Sequence, residues 1–251
     1  MAERAAPITQ QQLEDSRVDI VPDDFDRLVA QKGHKLIHQI AVKCSCIREV
    51  NGSALPHCVN CTGSGFIFVD PLDITGIIQA INFDPKVMQY TEVNLGTATL
   101  TTRNSERLGW YDRLTVKDGE TIFSENIFPV IRTVSAVQQA SALLTYAPTS
   151  VFKAFLFVDE LTPHIDLVEG TDFTITGQKF VLSTALKNAM VAAGENKKYI
   201  GLRYLHKPQY LVMDIQKDIR NTKVLAQGGG DVLKRMPINC LIRKMHYIIG
   251  N

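Results

Sequence analysis

The sequence predicts a mainly β protein, built from small barrel or sandwich domains with a short N-terminal helix and a knuckle held by cysteines. Short apolar runs that alternate with polar residues recur along the chain, and turn sequences separate them. Strands of this length with frequent turns are typical of barrels and sandwiches. Four of the five cysteines lie between residues 44 and 61, which marks a compact element of its own.

The overall composition is that of a globular protein. The 251 residues are 45% hydrophobic and 21% charged, which suits one large domain or two small ones and excludes wholesale disorder. No apolar run reaches the ~18 residues of a membrane-spanning helix. Residues 1–17 lack the hydrophobic core of a signal peptide, so we expect no export by that route and reducing conditions around the cysteines.

Charge is distributed unevenly along the chain. The formal net charge is only +1, which argues against a protein that coats nucleic acid. Residues 1–30 nevertheless hold 7 acids and 3 bases, whereas residues 197–251 hold 11 bases and 3 acids. Two ordinary solvated faces would explain this asymmetry. Head-to-tail contact between copies, or contact of a basic face with an acidic partner, would explain it as well.

The N-terminal region predicts an arm followed by a helix. Residues 1–22 are mostly polar and predict a flexible arm that becomes ordered only on a partner. Residues 23–33 predict a short helix that is capped by Asp23 or Asp24 and ends at Gly33. Three apolar side chains share one face of this helix: Phe25, Leu28 and Val29.

The rest of the chain predicts strands in successive segments. Residues 36–42 form a β run that leads into the cysteines, and residues 65–81 form one or two strands interrupted at Asp70 and Pro71. Residues 171–183 predict a hairpin. We therefore divide the chain into the arm, a helix with a metal-binding ribbon (23–70), a barrel or sandwich part (71–135), a second sandwich-like part (136–206) and a basic segment that completes the β core (207–251).

Three local features accompany these strands. The turn of the predicted hairpin falls at Thr176, Gly177 and Gln178. Residues 185–193 are helical by propensity, but a long loop is equally compatible with their sequence. Residues 227–231 are rich in glycine and predict a flexible loop.

The cysteines fall into two close pairs, Cys44 with Cys46 and Cys58 with Cys61. Two such pairs on either side of a short loop are what a tetrahedral zinc ion requires, and they predict a zinc-ribbon-like knuckle. Two disulfides or four ordinary thiols are the alternatives, and the reducing compartment weakens the first. The glycines after Cys61 allow backbone amides to approach the sulfurs closely.

The predicted zinc site is structural and not catalytic, because four thiolates leave no position for water or substrate. Cys240 lies within an apolar strand and is expected in the core, and His57 is not expected to replace a cysteine. The His34 and His38 pair lacks the glutamate of a catalytic metal helix, and we read its spacing as a surface accident. We predict no catalytic residue and no organic cofactor.

A group of aromatic and basic residues near residue 200 has two interpretations. It is compatible with a nucleic-acid platform. The alternation from Tyr199 onward is explained more simply by a strand with one buried face. The residues concerned are Tyr199, Arg203, Tyr204, Lys207 and Tyr210.

Two stretches carry a resemblance to a known family. The first is the acidic helix that ends at Gly33, then a β run and the pattern Cys-x-Cys…Cys-x-x-Cys-x-Gly-x-Gly-Phe. The second is a Tyr-x-x-x-Pro-x-Tyr strand pair that leads to an arginine, here Tyr204, Pro208, Tyr210 and Arg220. Together they resemble neck and connector proteins of tailed bacteriophages over most of residues 23–224. The Cys-x-x-Cys-x-Gly-x-Gly half is also similar to the repeat of J-domain co-chaperones, which carry several such repeats.

The resemblance implies a non-enzymatic virion structural protein that is assembled in the bacterial host cytoplasm. Such proteins stack as closed rings, often twelvefold, between the portal and the tail, as a collar or head–tail connector that lines the DNA path. The implied partners are other copies, the portal, tail or other neck proteins, and phage DNA contacted without sequence specificity; no membrane is expected. A ring contact joins two different faces, which an acidic arm and a basic C-terminal third would supply.

Three alternatives remain open from the sequence. One is a zinc-ribbon protein that binds nucleic acid, motivated by the basic C-terminal third. Another is a different tail or baseplate structural protein. A metal-dependent hydrolase is the weakest, because it needs an open coordination site.

Overall fold

The structure, a computed structural model, describes part of the 251-residue chain. The described residues are 22–47, 54, 55, 58, 60, 61, 63–80, 96–134, 137–157, 163–192, 199–215, 221–225 and 231–246. The predicted N-terminal arm and the predicted glycine-rich loop lie outside these residues, apart from Pro22 and Asp231 at their ends.

The described elements are mainly strands, which confirms the predicted fold class. The helices are α1 (Pro22–Lys32) and α2 (Thr184–Ala192). The first eight strands are β1 (His34–Lys43), β2 (Phe66–Ala80), β3 (Thr97–Thr102), β4 (Arg113–Val116), β5 (Thr121–Ile127), β6 (Val130–Val134), β7 (Val137–Leu143) and β8 (Pro148–Phe157). The later strands are β9 (Ile165–Asp166), β10 (Phe173–Thr176), β11 (Lys179–Leu182), β12 (Tyr199–His206), β13 (Gln209–Ile215), β14 (Asn221–Leu225), β15 (Asp231–Arg235) and β16 (Asn239–Lys244).

Six antiparallel strands close into a barrel in the order β1, β2, β3, β16, β13 and β4, and β4 pairs with β1 to complete it. Alternate residues of β3, β4 and β16 are buried, as expected when one face of each strand lines the barrel interior. The interior is filled by aliphatic side chains and Cys240, which is fully buried as predicted. Its members include Leu36, Ile74, Leu100, Leu114, Val212 and Ile242.

Two four-stranded sheets form a sandwich beside the barrel. Their strand orders are β10, β11, β7, β6 and β5, β12, β8, β9. The chain enters the sandwich after β4 and returns at β13, where the Val116 amide donates to the Pro208 carbonyl over 3.0 Å. The sandwich core is rich in aromatic residues and reaches the barrel strand β13; it includes Tyr146, Phe173, Phe180, Ile200, Tyr204 and Leu211.

The structure confirms two local predictions and decides a third that the sequence left open. The hairpin of β10 and β11 is confirmed, since Thr176 pairs with Lys179 and Gly177 has a φ of 60° in the turn. The open choice for residues 185–193 is resolved as the helix α2. The strand from Tyr199 buries alternate residues, as expected for one buried face.

The helix α1 differs slightly from its prediction. It starts at Pro22, so Asp23 and Asp24 lie in its first turn instead of capping it, where carboxylates favour the positive end of the helix. The Gly33 amide donates to the Val29 carbonyl over 2.9 Å and ends the helix as predicted. Of the three apolar residues on its predicted face only Val29 is buried, whereas Phe25 and Leu28 are exposed.

The strand β2 is continuous and 15 residues long. Asp70 and Pro71 do not break it but form a bulge, because the two residues lie opposite Gln39 alone and Asp70 has a φ of 51°. Beyond this bulge the two strands pair only with each other among the described residues, since β1 pairs with β4 only over residues 36–39. We call this two-stranded extension, residues 40–43 and 66–69, the ribbon.

A buried carboxylate fixes the start of the ribbon. Asp112 accepts hydrogen bonds from His38 Nε2 at 2.7 Å, from the Ala41 amide at 2.9 Å and from the Gly109 amide at 2.6 Å. The side chains of His38 and Asp112 are each 4% exposed. Burial alone would raise the pKa of Asp112, but these three hydrogen bonds lower it below its usual value. His38 is therefore a core residue, and the interpretation of its spacing as a surface accident is wrong for this histidine.

A second polar cluster lies between the sandwich and the barrel. The ring of Tyr146 stacks on His206 with 3.8 Å between centroids, and its hydroxyl lies 2.6 Å from His246 Nδ1. Phe123 contacts both histidines with its ring. Burial lowers the pKa of His206 and of His246, and the charge of Lys244 lowers both further.

Replacing the buried carboxylate should destabilise the barrel. We expect Asp112→Ala to reduce the free energy of unfolding by roughly 3 kcal/mol, because His38 and two amides lose a buried acceptor. The matched control is Asp73→Ala, which removes an ion pair with Lys117. Because the Asp73 carboxylate is 74% exposed, this change should reduce the free energy of unfolding by less than about 1 kcal/mol. Urea denaturation of both variants tests this, and equal losses would contradict it.

Two histidines, the buried His206 and the partly buried His246, should make stability depend on pH. Their folded-state pKa values lie below the ordinary 6.5, so the unfolded chain binds protons first as the pH falls. The stabilisation is complete above pH ~6.5 and is lost as the pH decreases below it. The guanidinium midpoint of the wild type should be lower at pH 5.5 than at pH 8.0. The difference should be smaller for a His206→Gln, His246→Gln variant. A variant of the exposed His164 should show the same difference as the wild type.

Candidate metal centre

The four predicted ligand residues meet at the tip of the ribbon. Cys44 and Cys46 follow the end of β1, and Cys58 and Cys61 precede the start of β2. Cys44 and Cys61 are buried, and the other two are partly exposed. The ribbon therefore brings together two cysteine pairs that are more than ten residues apart in sequence.

Backbone hydrogen bonds shape each cysteine pair into a turn. The Cys44 amide donates to the Gly65 carbonyl over 2.8 Å, which continues the β1–β2 ladder past its last paired residues. The Ser64 amide and hydroxyl both donate to the Cys61 carbonyl, at 2.9 and 2.6 Å. Gly63 and Gly65 have φ values of 88° and 79°, a conformation that glycine adopts without strain. The glycines of the motif thus allow the tight turn after Cys61.

The sulfur positions match a four-coordinate metal site. All four Sγ atoms lie within 4.8 Å of one another. The Sγ atoms of Cys46 and Cys61 are 3.3 Å apart, and those of Cys44 and Cys58 are 3.8 Å apart. A tetrahedral shell with metal–sulfur bonds of about 2.3 Å has sulfur–sulfur distances of about 3.8 Å. The four cysteines are free thiols and not disulfides, so this arrangement could hold a metal ion.

Backbone amides tune the acidity of the thiols. Amides of Cys61 and Asn60 donate to the Cys58 sulfur and lower its pKa to about 6. The Leu55 amide lowers the pKa of Cys46, but desolvation and hydrogen bonds with the three other thiols raise it to about 12. The Cys58 sulfur is thus a thiolate at neutral pH, whereas Cys46 keeps its proton until a metal ion displaces it.

Sequence reasoning missed some of the residues that support this site. The amides of Leu55 and Asn60 reach the sulfurs, but neither side-chain type signals a ligand environment. His57 lies outside the described residues. Cys240 lies in the barrel interior, away from the cluster.

The other candidate residues are dispersed. Tyr199 and Arg203 lie on the outer face of β12, whereas Tyr204 is fully buried in the sandwich core. His34 is exposed and approaches Asp118, and His164 contacts Phe155. Within the described part of the chain, the cysteine cluster is the one grouping of three or more His, Cys, Asp or Glu side chains that is suited to a metal ion.

No family model matches the chain, and no curated protein is significantly similar to it. No helix among the described residues is long and apolar enough to span a membrane.

Removal of the ligands should unfold the tip of the ribbon and spare the barrel. We expect Cys58→Ser, Cys61→Ser protein to lose bound metal and to exchange amide hydrogens rapidly at residues 44–47 and 63–66, because this tip has few apolar contacts to hold it. Hydrogen exchange and elemental analysis of the purified protein test this. The control Cys240→Ala should keep its metal, and protection of the tip after chelation would contradict a structural role for the metal.

Proposed function

We propose that this chain is a non-enzymatic structural protein of a tailed-bacteriophage virion that forms a ring in the neck, between the portal and the tail. The observation that carries the proposal is the ribbon, which leaves the barrel, ends in four clustered cysteines and presents an apolar face. The two sequence stretches that resemble neck proteins support the same function.

The ribbon has one packed face and one open face. On the packed face, Phe66 stacks on Tyr111 with 4.7 Å between centroids, and the Arg113 guanidinium lies 4.2 Å from the Phe68 ring centre. On the open face, Ile40 is 41% and Val42 is 48% exposed. Their cross-strand partners are Val69 and Ile67.

The open face has the properties of an assembly surface. Cross-strand pairs of β-branched residues form a stiff, flat apolar surface. Contiguous exposed apolar side chains of this kind mark protein–protein contacts more often than free surface. In a ring, a different face of the neighbouring copy would cover it, as heterologous contacts require.

The metal in this proposal is zinc with a structural role. Four soft thiolates in a tetrahedral arrangement favour zinc, and they would leave no coordination position for water. The ion would hold the tip of the ribbon rigid, so that the apolar face is presented in one orientation. We propose no catalytic step for the protein.

The uneven charge fits the same arrangement. The basic C-terminal third would attract the acidic N-terminal region of a neighbouring copy and orient it during assembly. A closed ring would also bring basic residues of all copies toward the packaged DNA, a contact that does not depend on sequence. The portal and the tail or other neck proteins are the remaining proposed partners.

Charges on the open face of the ribbon should prevent ring formation. We expect the wild-type protein to form rings in native mass spectrometry and negative-stain images, and Ile40→Lys, Val42→Lys protein to remain in smaller species. The buried charges would lack partners in the interface. A strictly monomeric wild-type protein that is absent from purified virions would contradict the proposed function.

Val168→Lys is the matched control, because Val168 is an apolar residue 59% exposed on the sandwich. This variant should assemble like the wild type. Equal thermal unfolding of all three proteins would show that the loss of rings does not reflect a loss of fold.

A further inference from the structure

The outer face of one sandwich sheet carries a row of aromatic rings. In β12, Tyr199, Gly201 and Arg203 alternate with buried residues and therefore point away from the core. In β8, Phe155 and Phe157 do the same. The sheet thus has a second face that the sandwich core does not use.

The rings of this face follow one another at short distances. Phe157 stacks on Tyr199 with 4.7 Å between centroids and an interplanar angle of 17°. Phe155 lies 6.3 Å from Phe157 on one side, and Phe128 lies 6.0 Å from Tyr199 on the other. His164 extends the row at 4.6 Å from Phe155. We call these five rings the aromatic row.

Gly201 allows the row to lie against the sheet. A Cβ atom at this position would come within 2.9 Å of Phe157 Cε2, so that the ring would have to move. A groove of about 390 Å³ lies beside this ring, and its walls include Asn126, Phe155 and Arg203. The groove is open to solvent over the centre of the sheet.

Two positive charges face each other beside the row. Arg203 pairs directly with Lys153 across β12 and β8, a like-charge pair that destabilises a sheet unless an anion lies near it. No carboxylate among the described residues lies within 4.0 Å of either cation. Asp166, which pairs with Phe155 from β9, is an acid on the same face. The Lys153 ammonium lies 6.0 Å from the Phe155 ring centre.

We propose that this face binds an unpaired stretch of nucleic acid. Bases would stack on the aromatic row, and phosphate groups would neutralise Arg203 and Lys153. The outward polar groups of β5, Ser124 and Asn126, lie across from Arg203 and Gly201 and offer hydrogen bonds to base edges. This binding goes beyond the proposed structural role in the neck, and neither inference requires the other.

The chemistry of the face favours this ligand over two others. Duplex DNA keeps its bases stacked inside the helix, so the rings would contribute nothing to its binding. The acidic N-terminal region of a second copy is the other anionic candidate, but residues 1–21 contain no aromatic side chain to stack on the row. Paired cations next to a series of rings match a polymer that alternates phosphates with flat bases.

The test uses the full chain and a fluorescein-labelled 12-nucleotide oligothymidylate at 20 mM salt. We expect saturable binding in fluorescence anisotropy, at least tenfold weaker for the duplex of the same length. Phe157→Leu keeps an apolar cover over Gly201 but removes the ring, and should weaken binding at least fivefold. Lys153→Glu, Arg203→Glu should weaken it further and reduce the slope of log affinity against log salt by about 1.4, because two phosphate contacts to a single strand are lost.

Matched controls separate this face from the rest of the protein. Trp110→Ala removes an aromatic ring, 52% exposed, from the turn before β4, and Lys179→Glu inverts an exposed charge on the other sheet. Both should bind as the wild type does. No binding at 20 mM salt, equal loss in the controls, or preferential binding of a peptide of residues 1–21 would each overturn the proposal.

Discussion

The carboxylate of Asp112 is the contact on which the geometry of the candidate site depends. It joins His38 in β1, the Ala41 amide at the start of the ribbon and the Gly109 amide in the turn before β4. The same group therefore links β1 to the turn before β4, where the barrel closes, and sets the direction in which the ribbon leaves. A buried acceptor with three donors tolerates few alternative arrangements, since each unpaired group would be costly in the interior. The position of the cysteines at the tip of the ribbon therefore depends on the Asp112 carboxylate.

The tip of the ribbon itself has a different source of order. Its buried residues are chiefly Cys44, Cys61 and Gly65, which bury too little apolar surface to define a conformation. Backbone amides that point at the sulfurs prepare the turns, and a metal ion would complete them. The barrel thus supplies direction and the thiolates supply local rigidity. This division explains why a short ribbon can present the flat surface of Ile40 and Val42 outside the barrel.

Local features were predictable from sequence, and distant pairings were not. The Gly177 turn and the alternation in β12 each depend on neighbours within a few residues, and the structure confirms both. The two cysteine pairs are more than ten residues apart, and their spacing predicted that they would meet, which they do. The contact between His38 and Asp112 joins positions 74 residues apart and leaves no periodic trace in the sequence. Asp70 and Pro71 suggested an interruption because both disfavour regular strands, yet a bulge accommodates them next to Gln39. The aromatic row likewise becomes visible only when β8 and β12 are adjacent.

The order of strands around the barrel has a consequence for synthesis on the ribosome. β3 finds its second neighbour, β16, only when the chain has reached Lys244, because the whole sandwich is translated between them. Thr121 pairs with His206, so the two ends of the sandwich segment meet and this part can fold while the barrel is still open. Until then the nascent chain carries unpaired strand edges at β3 and β4. Barrel closure is therefore a late step of folding, set by the contacts of β3 and β4 with the distant strands β16 and β13.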